Sequence, residues 1–167
     1  MNVRPERSED RTASIEVERA AFGQPLEPDI VVAVRDDPGS IALVAEDDGQ
    51  VVGHVQLSTA WVGDDEVLAL GPIGVAPAWQ RRGIGTALVA AALGAARDSG
   101  ARAVVLLGSP AYYGPRGFEP AGRLGLRNPF AGVMEDGFEI PEEDFQIAML
   151  DPTRQLAGDV RWHPAFG

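Results

Sequence analysis

Residues 66–100, EVLALGPIGVAPAWQRRGIGTALVAAALGAARDSG, constrain the fold more than any other stretch. They read as an apolar strand, a glycine-containing turn and an apolar helix in direct succession. Gly71, Pro72 and Gly74 interrupt the strand. Glycine and proline inside a strand mark a bulge, a bend, or a place where something comes close to the backbone. Ile84, Leu88, Ala91, Ala92 and Ala95 then recur at helical spacing, which predicts a helix from about Gly83 to Ser99, stopped by Gly100. The first amides of such a helix have no partner within it, and its dipole favours negative charge there. The preceding loop, QRRGIG, has two glycines that leave the backbone bare and two arginines, Arg81 and Arg82, that add positive charge. Chemically this is a seat for a phosphate or pyrophosphate. The alternative is a tight strand-to-helix turn with no ligand.

Two common phosphate sites fail on residues. A P-loop ends in Gly-Lys-Ser/Thr, and all 14 basic residues here are arginine. The dinucleotide fingerprint needs a third glycine after the first strand, whereas this loop runs GIGTAL behind at least two earlier strands. Other chemistries fall away on composition. There is no cysteine, so disulfides, thiolate metal sites and a cysteine nucleophile are excluded. The two histidines, His54 and His163, are far apart, and no metal site is expected. A net charge of −11 argues against nucleic acid; it reads first as a device for solubility and only mildly favours a cationic substrate. The polar N-terminus, MNVRPERSEDRT, resembles neither a signal peptide nor an anchor, and no apolar run reaches membrane-spanning length. A cytoplasmic protein with no membrane partner is expected. Its 167 residues are read as one domain, 1–167.

The rest of the chain supplies the frame. RSEDRTASIEVERAAFG reads as a helix with Ser8 as its cap and Gly23 as its stop. EPDIVVAVRDDPG reads as a second helix. IALVAEDDGQVVGHVQLSTAWV is a hairpin turning at DDGQ. ARAVVLLG is a buried strand, SPAYYGPRGFEPAG a short helical turn entering a strand, and FQIAML one more strand. RQLAGDVRWHPAF adds a helical turn and an extended end. The order predicts an α/β (α+β) sheet with helices on both faces.

At this point the residues carry a resemblance. IGVAPAWQRRGIGTALVAAAL resembles the acetyl-CoA-binding motif of the GNAT superfamily of N-acetyltransferases, with Gln80, Gly83 and Gly85 on its signature and Val75 and Pro77 in place before it. AYYGPRGFEPA resembles the family's second signature through Tyr113, Gly117 and Phe118. LGPIGV, LGSPAYYGPRGF and the NPF…FQIAML ending look most like its YhbS-like branch. The likeness implies a mixed, mostly antiparallel central sheet of six or seven strands flanked by helices. A cofactor cleft would lie where the fourth strand splays from the fifth. It implies acetyl-CoA as co-substrate, with pantetheine on the backbone of Ile73 and Val75. The pyrophosphate would sit on Gln80 and the amides of Arg81, Arg82, Gly83, Ile84, Gly85 and Thr86. It also implies direct acetyl transfer to a primary amine of a small molecule or peptide, by a monomer or homodimer. Tyr113 would be the general acid for the leaving CoA thiolate. Tyr112 is equally plausible by residue type, and the motif register favours Tyr113. The alternative is a domain that binds acyl-CoA without turnover, as a sensor. One departure is that the segment GSPAY has no asparagine where many members carry a cofactor contact.

No general base is evident. His54 is opposite in phase to Val51, Val55 and Leu57. A solvent-facing or capped histidine is expected, with a place in the cleft as the alternative. Asp65 and Glu66 are read as a solvated turn before being read as a base. By the resemblance, Glu27 and Asp29 border the acceptor site. The acidic segment AGVMEDGFEIPEED either covers that site or is a surface loop.

Overall fold

The structure is a computed structural model that describes residues 1–131 and 139–166. In chain order the elements are β1 (Asn2–Pro5), α1 (Arg11–Phe22), α2 (Leu26–Val34), β2 (Ile41–Asp47), β3 (Gln50–Val62) and β4 (Asp65–Val75). There follow α3 (Ile84–Asp98), β5 (Ala103–Leu107), α4 (Pro110–Tyr113), β6 (Glu119–Pro120), β7 (Phe145–Met149) and β8 (Val160–Arg161). The sheet runs β1-β2-β3-β4-β5-β7-β6, with β8 paired to β3. The β4–β5 pair is parallel, with Leu68 and Ala69 opposite Val104 and Val105. The β1–β2, β2–β3, β3–β8, β5–β7 and β6–β7 pairs are antiparallel. This is the mixed, mostly antiparallel sheet with flanking helices that the sequence implies, with eight strands among the described residues where six or seven were expected. The strand that the sequence hides is β1, in a stretch that reads only as polar.

The chain forms two compact units. One comprises Met1–Ser58, Leu70–Ala95 and His163–Gly167, and the other Thr59–Ala69 and Ala96–Trp162. In the first, α1 and α2 pack on each other. The start of α1 differs from expectation. Ser8 opens a 3-10 turn, Ser8–Asp10, and Asp10 is the residue from which α1 begins. Asp10 is used twice. Its Oδ2 accepts the Arg7 amide at 2.7 Å, and its carboxylate takes two bonds from Arg4, at 2.6 and 3.0 Å. Arg4 also donates to Glu46 at 2.7 Å, so one guanidinium ties β1, the turn and β2 together. That hydrogen bonding holds the Asp10 carboxyl below its usual value against the opposing effect of burial. Gly23 ends α1 with φ 69°, and its amide returns to the Arg19 carbonyl. Across the sheet, α3 lies tightly on β3: a Cβ added at Gly53 would stand 3.0 Å from a Leu88 methyl and 3.1 Å from one of Ile84.

In the second unit, Val62, Val105, Phe145, Ile147, Leu156 and Val160 belong to one buried cluster. The Trp162 ring meets Phe145 edge-on, and its indole N–H donates to Asn128 Oδ1 at 3.2 Å. Among the described residues no helix is long and apolar enough to cross a membrane.

Candidate active site

The loop between β4 and α3 is built mainly from backbone. Ala76 donates its amide to Val52 O at 2.8 Å, which fixes the end of β4 on β3. A 3-10 turn follows over Pro77–Trp79. The Gln80 side-chain amide donates back to Val75 O at 3.0 Å, so this glutamine braces the loop against the strand. Arg81 then takes φ 63° and Gly83 φ 83°. Left-handed backbone is ordinary for glycine and costly for arginine. Gly83 O is the first carbonyl to accept a helical bond, from Ala87 N at 3.1 Å. Helix geometry leaves the amides of Ile84 and Gly85 without an intrahelical partner. Ile84 points its side chain into the core at 3% exposure, so only its backbone is offered outward. Arg81, Arg82 and Gly83 are exposed, and the Arg82 guanidinium lies 5.0 Å from the Trp79 ring centre. An exposed helix N-terminus, bare of side chains at Gly83 and flanked by two arginines, suits a pyrophosphate.

On β4 the sides alternate. Ile73 and Val75 are half-buried, while Pro72 and Gly74 are buried. A specific neighbour accounts for the glycine at 74. A Cβ there would lie 2.6 Å from Glu18 Oε2 and 3.2 Å from the Ala21 methyl. What comes close to the strand backbone on this side is a carboxylate from α1.

Tyr113 closes α4. Its ring meets Tyr112 and Phe118 edge-on, with centroids 4.8 and 5.7 Å away. Gly108 makes room for it, since a Cβ there would fall within 2.8 Å of two Tyr113 ring carbons. Burial, with a smaller contribution from Tyr112, pushes the Tyr113 phenol up to about 12. Tyr112 differs: it is 38% exposed, and the Arg116 guanidinium stacks 3.7 Å from its ring centre. Ile73, Val75 and Gln80 through Thr86 fall in the first unit and Tyr113 in the second.

The histidine expectation needs correction. His54 is not solvent-facing; it is fully buried, and its Nδ1 is capped by Glu18 Oε1 at 2.6 Å. Strand alternation misled here because β3 is buried on both faces from Val52 to Ser58. Glu18 itself went unnoticed. Its only sequence signal is its place beside Ser14, Val17 and Ala21 on the inward stripe of α1, where a carboxylate is costly. Glu27 is half-buried, with Oε1 accepting from Gln24 at 2.8 Å, and Asp29 is exposed. Asp65 is in a salt bridge with Arg102, and Glu66 is exposed. Half of the acidic segment, residues 132–138, lies outside the described residues. At its far end the Asp144 carbonyl accepts the Gly108 amide at 2.8 Å. Among the described residues no group of three or more His, Asp or Glu side chains is placed to hold a metal ion.

Known proteins share this architecture and sequence. Residues 7–118 match the family described as Acetyltransferase (GNAT) family. YjhQ of Escherichia coli K12, an uncharacterized N-acetyltransferase, is 35% identical over 158 residues, covering 87% of this chain and 83% of its own. The crystal structure of E. coli YhbS, a GNAT family N-acetyltransferase in complex with CoA, superposes with a TM-score of 0.86 at 30% identity, covering 99% of this chain and 91% of that one. A Brucella melitensis GNAT family acetyltransferase in complex with acetyl-CoA gives 0.80 at 34% identity, over 99% and 97% of the two chains. On sequence and fold together, the chain belongs to the GNAT family of acetyltransferases.

Proposed function

We propose that this protein, working as one acetyltransferase domain, takes acetyl-CoA and transfers its acetyl group directly to a primary amine. The observation that carries the reading is the β4–α3 loop, where Arg81 and Gly83 in left-handed backbone open an exposed helix N-terminus just after two arginines. Relatives of the same fold crystallised with CoA and acetyl-CoA support it. In this reading the amides from Arg81 to Thr86 hold the pyrophosphate, and Gln80 keeps the loop in place. The backbone of Ile73 and Val75 hydrogen-bonds pantetheine.

An alkylammonium group has a pKa of roughly 10.4 and must lose a proton before it attacks. The attack forms an oxyanion, which strand amides stabilise. Tyr113 then donates to the departing sulfur. A phenol pushed up to about 12 stays protonated throughout the physiological range. It is a weaker acid than a thiol of about 8.5, so its help is a hydrogen bond to the developing thiolate more than a completed early transfer. The net charge of −11 draws cationic acceptors, an effect that salt weakens.

An amine panel with acetyl-CoA, followed by free-thiol release, tests this. Turnover of primary amines that rises with pH supports it, and a panel in which only neutral hydroxyl acceptors react contradicts it.

A further inference from the structure

Beneath β4 the first unit holds a buried cluster of acid–base groups with unmet hydrogen-bonding capacity. Glu18 comes from α1, His54 from β3, Glu27 from the first turn of α2, and Glu6 from the link after β1. The Glu18 and His54 side chains are both 0% exposed and bonded to each other at 2.6 Å. Glu18 Oε2, His54 Nε2, Glu6 Oε1, Glu27 Oε2 and Ser14 Oγ are all buried without a partner among the described residues. His54 Nε2 faces Glu6 Oε1 at 3.8 Å, beyond hydrogen-bond range. Glu18 Oε2 is aimed at β4, into space that exists because residue 74 lacks a side chain. A pin between α1 and β3 needs none of this, since apolar side chains of similar volume hold two elements together without orphaned charge. Buried acceptor atoms without a protein partner call for a donor, and a donor that carries positive charge suits them best.

Resting on the acetyl-transfer reading above, we propose that Glu18, oriented by His54, accepts the proton that the incoming ammonium group must lose, with Glu27 relaying it from the half-buried rim. One N–H bond of the ammonium breaks. Its proton passes through Glu27 to a Glu18 oxygen, and the electron pair stays on nitrogen. That pair forms the C–N bond to the acetyl carbon. The C–S pair leaves on sulfur, which ends as the thiol, and the nitrogen sheds a second proton as the amide forms. One proton is released to solvent overall. His54 is a positioning residue that holds the Glu18 carboxyl through the 2.6 Å contact.

The charged and titratable groups facing Glu18 are His54 on β3 and Glu27 on α2, with Glu6 beyond His54; β4 presents only the Gly74 backbone. Burial raises the Glu18 carboxyl above its usual value, His54 pulls it back, and Glu27 pushes it up again. A raised carboxyl ionises at higher pH than an ordinary glutamate, so kcat/KM should climb with pH as Glu18 becomes a base.

Two probes separate proton removal from architecture: ethylamine, protonated at neutral pH, and trifluoroethylamine, largely neutral there. Both are assayed by thiol release at saturating acetyl-CoA. Glu18→Gln should lower kcat/KM for ethylamine by about 10²-fold or more and abolish the Glu18 limb of the pH profile. It should cost trifluoroethylamine less than about threefold, because that amine is already neutral when it attacks and the proton lost afterwards comes from a far more acidic nitrogen. Acetyl-CoA affinity should not move. Equal losses on both amines, or none on either, would overturn the inference while leaving the acetyl-transfer reading in place. If Glu18→Gln does not fold, Glu27→Gln carries the test. It should show the same split at roughly 5- to 10-fold, and an unchanged ratio overturns the relay. A wild type that binds acetyl-CoA yet turns over neither amine removes amine transfer and this inference together. One that binds no acetyl-CoA defeats the functional reading at its root.

Discussion

The loop at Gln80–Thr86 and the pocket around Glu18 and His54 solve opposite problems. The loop is exposed and contiguous in sequence. In its proposed role it works through backbone amides: Gly83 has no side chain, Ile84 turns inward, and Arg81 and Arg82 are exposed. The Glu18–His54 pair is fully buried, and in its proposed role it works through side chains drawn from α1, α2, β3 and the link after β1, with Glu27 half-buried at the rim. A phosphate group brings its own charge and hydration and needs only a bare, polarised helix end to receive it. A proton acceptor must instead have its basicity set by burial and by neighbouring charge, which calls for groups from several elements. The difference suggests that binding of the cofactor and activation of the acceptor are separable, and mutations should show it.

The sharpest separation is Gly85→Glu. It places a carboxylate at the helix N-terminus where the pyrophosphate is proposed to sit. Acetyl-CoA affinity should fall by about 100-fold or more with the fold retained, as calorimetry and a melting curve would show. Unchanged affinity in a folded variant would erase the distinction between the two regions.

Tyr113→Phe comes next. It keeps a ring packed against Phe118 and removes only the hydroxyl. The expected loss is about 10- to 100-fold in kcat with acetyl-CoA affinity unchanged. Tyr112→Phe should turn over almost normally; the reverse result would shift the assignment by one residue.

Gly74→Ala probes the strand that both regions share. Its methyl would stand 2.6 Å from Glu18 Oε2, so the carboxylate must move. A cost of about 1–3 kcal/mol in stability is expected, relieved in a Glu18→Ala background. Additive costs in the double variant would mean that the two residues are not in contact.

The smallest effect concerns the frame. Arg4 holds Asp10 below its usual pKa, so the folded state keeps this carboxylate charged to lower pH than the unfolded chain does. The associated stability is present above the unfolded Asp value and is lost as pH falls through the folded one. Asp10→Asn should cost about 1–2 kcal/mol at neutral pH and flatten the acid side of the stability curve, while leaving turnover nearly untouched.

What could be read in the sequence follows the same division. The β4–α3 loop was legible because its logic is local: glycine where φ is positive, then an apolar helical repeat. Tyr113 was separable from Tyr112 only by motif register; in the structure Tyr112 is the more exposed of the two. β1 was missed because four residues, Asn-Val-Arg-Pro, carry no periodic signal, and pairing with β2 alone makes them a strand. Glu18 and His54 are 36 residues apart, and no spacing rule links them. Docking of α1 over a strand buried on both faces brings them together, and that is a tertiary event.

Backbone amide NMR of the wild-type protein during addition of acetyl-CoA tests the central claim most directly. The largest shifts should fall on the amides of Gly83, Ile84, Gly85 and Thr86, with Ile73 and Val75 following. Saturable binding that leaves those amides unmoved would contradict the placement of the cofactor at the start of α3.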